Sequence, residues 1–248
     1  MTATVAHIWR HPIKAHGREA LERVDVTEGT TMPWDRVWAV THDMSKAKGG
    51  DWISCSNFSR AARTPTLQAI TAQLNEGTEE ISLHHPDLPS IRFHPDRDAD
   101  RFLDWVAPLM DADRPQSMGI VRVADRGMTD SDFPSYSLNN LATHQAISAH
   151  LGQNLSPVRW RGNLWFDGLA PWAERDWVGK TVRIGSAEFE VREEIGRCKA
   201  TTVNPATGQV DIDTLRALRE LIDDQNFGVV AYPIKSGRIA LGDPLEVL

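Results

Sequence analysis

The 248-residue sequence holds two thiols, Cys55 and Cys198, and their surroundings differ. Cys198 lies in Gly196-Arg197-Cys198-Lys199-Ala200-Thr201-Thr202-Val203-Asn204-Pro205, between two cations and ahead of a pair of hydroxyls. A thiolate is a nucleophile and a soft ligand for transition metals, and adjacent positive charge favours that form. Cys198 is therefore the leading candidate for a reactive atom or metal ligand. The competing reading is a small buried residue on a β-strand, a common fate of free cysteine. Cys55, in Trp52-Ile53-Ser54-Cys55-Ser56-Asn57, has no adjacent cation and reads as a buried or partly buried bystander.

Other chemistry is thinner. Lys14, Arg36 and Arg161 could bind an anion, but any one of them alone reads equally as a solvated surface charge. Thr201 and Thr202 could offer hydroxyls, although the β preference of threonine also suits two ordinary strand residues. His84-His85 has no second ligand pair, and His7, His11 and His16 are spaced too irregularly to share a strand face, which argues against zinc. No Gly-x-Gly-x-x-Gly follows a strand, and there is no Walker loop, internal repeat or low-complexity tract. A net charge of −7 and a pI near 5.7 argue against a dedicated nucleic-acid surface. The start passes from Met1-Thr2-Ala3-Thr4-Val5 into His7, Arg10 and His11 without the apolar core of a signal peptide, and no apolar run reaches membrane-spanning length. With two cysteines far apart in sequence, no disulfide framework is expected, and the expected setting is a reducing cytoplasm.

The elements that must position these residues are mostly short strands. Alternation predicts strands at Val5 to Arg10, Arg36 to Thr41, Leu67 to Leu74, Ile81 to Leu83 and Ile91 to Phe93. Further strands are predicted at Val158 to Phe166, Val182 to Ile184, Phe189 to Arg192, Val229 to Tyr232 and Arg238 to Leu241. Lys14 falls in the loop leaving the first strand, and Asp43 to Asp51 reads as a lid or hairpin tip. Three helices are expected. One follows Asp98 and carries Phe102, Trp105, Val106 and Leu109 at helical spacing, one spans about Ser137 to His150, and one begins near Asp213. Nine tryptophans against two tyrosines read mainly as core. The pattern describes a β-rich α+β chain, with a junction in the Asp111 to Met118 stretch dividing 1–114 from 115–248.

Four blocks resemble the MOSC family, which includes molybdenum cofactor sulfurase C-terminal regions and amidoxime-reducing proteins. Trp9-Arg10-His11-Pro12-Ile13-Lys14 resembles the opening of its N-terminal β-barrel region. Asp35-Arg36-Val37-Trp38 is similar to its Asp-Arg-x-Trp strand, and Arg159-Trp160-Arg161-Gly162-Asn163 to its Phe-Arg-Pro-Asn element. The fourth block is the cysteine segment, continuing to Gly242-Asp243-Pro244. Ala15 stands where the family often has serine, Gly162 where it has proline, and Asn204-Pro205-Ala206-Thr207-Gly208 where it has Asp-Pro-Asp-Thr-Gly. The resemblance implies a MOSC-type β-barrel with a few short helices after a smaller N-terminal β-barrel-like region. It also implies a molybdenum cofactor, a pterin dithiolene bearing a phosphate. Cys198 would ligate the metal, while Lys14, Arg36, Arg161, Asn163, Arg197, Thr201 and Thr202 would contact the cofactor. The activity implied is reduction of an N-hydroxylated or N-oxide-type small molecule. No iron–sulfur cysteine set is present, so electrons would come from a separate reductase or ferredoxin-like partner. The alternative is a cofactor or sulfur carrier using Cys198.

Overall fold

The computed structural model describes residues 3–123 and 126–248. β1 (Thr4–Arg10) buries Val5, Ile8 and Arg10, followed by β2 (Ile13–Lys14), β3 (Glu19–Leu21) and β4 (Arg23–Val26). β5 (Trp38–His42) begins two residues later than expected, because Arg36 takes a left-handed conformation, φ 56°, that ends the preceding turn. β6 (Thr71–Asn75), β7 (Glu80–His85) and β8 (Leu88–Phe93) form an antiparallel meander, with Leu67 to Ala69 in a 3-10 turn rather than a strand. α1 (Ala99–Val106) follows Asp98 as expected and buries Phe102 and Val106 against the β8 side of this meander. β9 (Ser117–Arg122) then runs back to pair antiparallel with β5.

The C-terminal half opens with a correction. The segment expected as one helix from Ser137 starts as β10 (Tyr136–Asn140), and α2 (Leu141–His150) begins only after it. Asn140 sets the break: its backbone is extended and its side chain accepts from the Ala142 amide, an N-cap. The strand expected over Val158 to Phe166 is instead a 3-10 turn at Pro157–Trp160, a left-handed Arg161, and β11 (Leu164–Asp167). β12 (Thr181–Ile184), β13 (Ala187–Gly196), α3 (Thr214–Ile222), β14 (Asn226–Lys235), β15 (Gly237–Ala240) and β16 (Leu245–Val247) complete the chain. Asp213 caps α3 by accepting from the Arg216 amide at 2.9 Å.

Sheet membership does not follow a division at 114/115. The eight-stranded sheet runs β16-β12-β13-β14-β10-β11-β1-β3, so two N-terminal strands extend a sheet built from the C-terminal half, and β4 pairs with β15. β9, in turn, joins β2 and β5. Val5, Ile8, Tyr136, Leu138, Leu164, Phe166, Phe189 and Val229 fill the core of the large sheet. A second core of Trp38, Leu67, Ile81, Phe93, Phe102 and Val106 lies under the meander, and a third joins α2 and α3 to Trp160, Trp165 and Phe227. Trp38, Trp160 and Trp165 are fully buried, as the reading of tryptophan as core expected.

Candidate functional site

Turns leaving strands bring the chemistry together. Lys14 ends β2, Arg36 lies just before β5, Arg161 follows the 3-10 turn before β11, and Cys198 lies two residues beyond β13. Arg36 and Arg161 both adopt left-handed backbone, φ 56° and 53°. Such conformations are uncommon outside glycine and persist only where the surroundings fix them. Arg36 is fixed by the buried Asp35, whose carboxylate takes the Arg36 guanidinium and the His11 amide. The other Arg36 Nη donates to the Arg161 carbonyl at 3.0 Å, which ties the two turns to each other.

A cavity of about 300 Å³ opens between these turns, lined by Lys14, Arg36, Arg161, Asn163, Arg197, Cys198 and Thr201 among others. Seven of the eight residues proposed from sequence thus share one cavity; Thr202 does not line it. Thr201 and Thr202 lie in a 3-10 turn, Lys199–Thr202, and not on a strand, because their hydroxyls bond back to the Cys198 and Lys199 carbonyls. Cys198 is exposed, which removes the reading of a small buried strand residue. Its carbonyl also accepts the Thr201 amide at 3.1 Å, so the residue is held from its C-terminal side.

The cations differ in what they have left to give. Lys14 is buried, with Nζ donating to the Met128 carbonyl at 2.6 Å and to the exposed Asp130 carboxylate at 2.5 Å. Arg197 spends its guanidinium on the Phe227 and Trp160 carbonyls and on Asn139, so it braces the wall more than it offers donors to an occupant. Asn163 accepts from Ser137 and donates to the Trp9 carbonyl, a bridge between β10 and β1. Arg161 alone among these keeps a buried, unpartnered donor: Nη2 reaches the Gly17 carbonyl at 3.2 Å, while Nη1 has no partner. Burial, with Arg36 and Arg18 adding repulsion, pushes the Arg161 pKa down to about 9. A buried guanidinium in that condition is stabilised by an anion. Burial first, then Arg161 and Arg36, push His11 down to about 3, so it is neutral beside Asp35. Burial opposes ionisation of Asp35, but Arg36 and His11 outweigh it and hold the group below the usual carboxylate range.

Cys55 is partly buried, as expected, but less isolated than its sequence neighbours suggest. It lines the same cavity, and Arg60 donates to its sulfur at 3.2 Å. The 3-10 turn Cys55–Asn57 folds the chain back so that a cation five residues away meets the thiol, a contact that adjacency in sequence does not reveal. The wall on that side comes from Cys55 and Arg60 to Ala62, while the Asp43 to Asp51 loop does not line the cavity. Sequence reading also missed Arg159, whose buried guanidinium donates to the Thr201 carbonyl at 3.0 Å. Its position two residues before Arg161 was the available signal. Elsewhere, ligand atoms of Glu79, His94 and Asp96 come within 4.8 Å of one another, but Arg122 bonds to both carboxylates and occupies the place of a cation.

The cluster of cations and thiols within turns from both halves agrees with what two family profiles find. The MOSC domain profile matches residues 126–246 and the MOSC N-terminal β-barrel domain profile matches residues 2–107. The chain belongs to the MOSC family. This MOSC protein is 28% identical over 151 residues to a molybdenum cofactor sulfurase of Caenorhabditis elegans, covering 59% of this chain and 20% of that one. It is 30% identical over 113 residues to mitochondrial amidoxime-reducing component 1 of Xenopus laevis, covering 41% of this chain and 32% of that one. It therefore spans a minor part of each relative's length. The solved YUAD protein from Bacillus subtilis aligns over 100% of this chain and 96% of its own, at 12% identity and a TM-score of 0.48.

Proposed function

We propose that this MOSC protein binds a molybdenum cofactor in the cavity beside Cys198 and acts as an oxidoreductase on an N-hydroxylated or N-oxide-type small molecule. The observation that carries the reading is the pairing of an exposed thiol with a buried, unpartnered guanidinium donor, Arg161 Nη1, on one cavity wall. A phosphate-bearing dithiolene cofactor is suited by both, a cation for its anionic end and a soft protein ligand for its metal. Arg161 and Arg36 would hold the anionic end, with forked donors that a lysine lacks. Lys14 would add charge, although Asp130 already neutralises part of it. Cys198 would ligate the metal. The bound group supplies the two-electron redox chemistry; the chain fixes its orientation and the ligand that tunes it.

Thr201, Arg159 and Arg197 line the cavity too, and their bonds within the chain brace its wall. The Thr201 hydroxyl holds the Cys198 carbonyl, Arg197 anchors the residue before the thiol to Trp160, and Arg159 holds the Thr201 carbonyl. Asn163 ties β10 to β1 behind Arg161, so its part is to position the turn. With only two cysteines the chain holds no iron–sulfur ligand set, so a separate reductase or ferredoxin-like protein would deliver the electrons. The second reading, a sulfur or cofactor carrier on Cys198, is favoured by the likeness to a molybdenum cofactor sulfurase.

Turnover separates the two. Purified protein from molybdate-supplied cells should reduce an N-hydroxylated substrate with a reduced viologen as donor and should not do so with NADH alone. A carrier would turn over with neither. Turnover with NADH alone would require a nicotinamide or flavin site in the chain and would defeat the partner argument.

A further inference from the structure

The part of the cavity wall that carries Cys198 rests on a side chain outside the cavity. Asn139, on β10, is completely buried. Its Oδ1 accepts from Arg197 Nη2 at 3.1 Å, and its Nδ2 donates to the Ser137 and Leu164 carbonyls, both at 3.2 Å. Two carbonyls on one side and a guanidinium on the other leave one consistent orientation for the amide. Arg197 is the residue before Cys198. Its guanidinium lies over the stacked Trp160 and Phe227 rings, 5.6 and 5.3 Å from their centroids, and donates to the carbonyls of both residues.

Two glycines make room for Asn139. A Cβ on Gly162 would lie 2.1 Å from Asn139 Nδ2 and 2.6 Å from its Cγ, closer than such atoms ever approach. A Cβ on Gly228 would lie 2.7 Å from Asn139 Oδ1, and that glycine also has φ 72°. Glycine at 162, where the MOSC resemblance expects proline, therefore accommodates a buried amide on the neighbouring strand. Arg161 and Asn163, which flank that glycine, line the same cavity.

We infer that Asn139 is a positioning residue for Cys198: lodged in a slot between Gly162 and Gly228, it holds Arg197 and so fixes the turn from which the thiol emerges. The inference deepens the reading of Cys198 as the reactive group and rests on it for its functional meaning. The geometric claim is tested without metal.

The test compares Asn139→Ala, Gly162→Ala and the double variant in metal-free protein. One readout is the iodoacetamide alkylation rate of Cys198, with Cys55 in the same molecule as internal reference. The other is amide hydrogen exchange at 197–201, where the Arg197 and Thr201 amides are bonded to the Gln225 and Cys198 carbonyls. Each single change should raise the Cys198-to-Cys55 alkylation ratio by about threefold or more and speed exchange at 197–201, with exchange in β7 and β8 unchanged. In the Asn139→Ala background the added Gly162→Ala change should have almost no further effect, because the side chain it displaces is gone. An unchanged ratio in folded Asn139→Ala protein overturns the inference, and so do additive effects of the two changes. If Asn139→Ala does not fold, Gly162→Ala decides alone by the same ratio. Absence of molybdenum from the wild-type protein would sink the functional reading and leave this result standing, so the two failures are distinguishable.

Discussion

Arg161 is the cation best placed to take an anion: its charge is buried, its Nη1 has no partner, and unlike Arg159, whose Nε is also unpartnered, it has no carboxylate bonded to it. Arg161→Lys keeps the charge and loses the fork, so it should weaken retention of the cofactor by about tenfold, as loss of a charge-assisted hydrogen bond does. Arg101→Lys, an exposed change on α1, should leave retention unchanged; molybdenum per chain after dialysis measures both. The neutral histidines behind the site give a pH dependence with a defined sign. His11 and His16 are pushed from the ordinary 6.5 down to about 3 and about 4, in both cases chiefly by burial. Between about pH 6 and 5 the unfolded chain therefore binds two protons that the folded chain refuses, and stability falls as pH falls. The loss should approach about 2–3 kcal/mol per pH unit. Denaturant unfolding at the two pH values checks it, and a flat profile would mean that these histidines are already charged in the fold.

α1, α3 and most strands were legible in the sequence because each follows one periodicity. Phe102 and Val106 mark α1, Asp213 caps α3, and Val182 and Ile184 alternate in β12. What failed were segments where the chain changes conformation inside an apolar run. Ser137 to Asn140 belongs to a strand because Leu138 is wanted in the sheet core, and only the Asn140 cap starts the helix. Trp160 and Trp165 are both buried as a strand would predict, yet a left-handed Arg161 separates them. That residues of the four blocks share a cavity was legible from the resemblance, but who holds whom was not. Arg197 looks like a free cation in sequence and is a brace, and Cys55 looks isolated and meets Arg60. The Asn204 to Gly208 turn keeps its form without carboxylates, since Asn204 Oδ1 accepts the Ala206 amide. A Cβ on Gly208 would lie 2.7 Å from Thr66 Cα, and its φ is 69°. Gly208→Ala should therefore cost about 1–3 kcal/mol in denaturant unfolding. A neutral effect would show that the turn moves freely off Thr66.

At the scale of the molecule, the two family segments share sheets: β1 lies between β11 and β3, and β4 lies beside β15. A fragment of residues 1–114 takes β11 from β1 and β15 from β4 and should show no cooperative thermal transition, whereas the whole chain should unfold in one step by both far-ultraviolet and tryptophan signals. Two separate transitions in the whole chain would contradict the interleaving. No helix among the described residues is long and apolar enough to cross a membrane. The cavity draws Lys14 and Arg36 from one segment and Arg161 and Cys198 from the other, so the proposed cofactor site exists only when both are folded together. X-ray absorption at the molybdenum edge tests that site most directly, on protein from molybdate-supplied cells. The account predicts near-stoichiometric molybdenum in the wild-type protein, one fewer sulfur ligand in Cys198→Ser, and an unchanged sulfur count in Cys55→Ser. An unchanged count in Cys198→Ser, or a loss in Cys55→Ser instead, would contradict it.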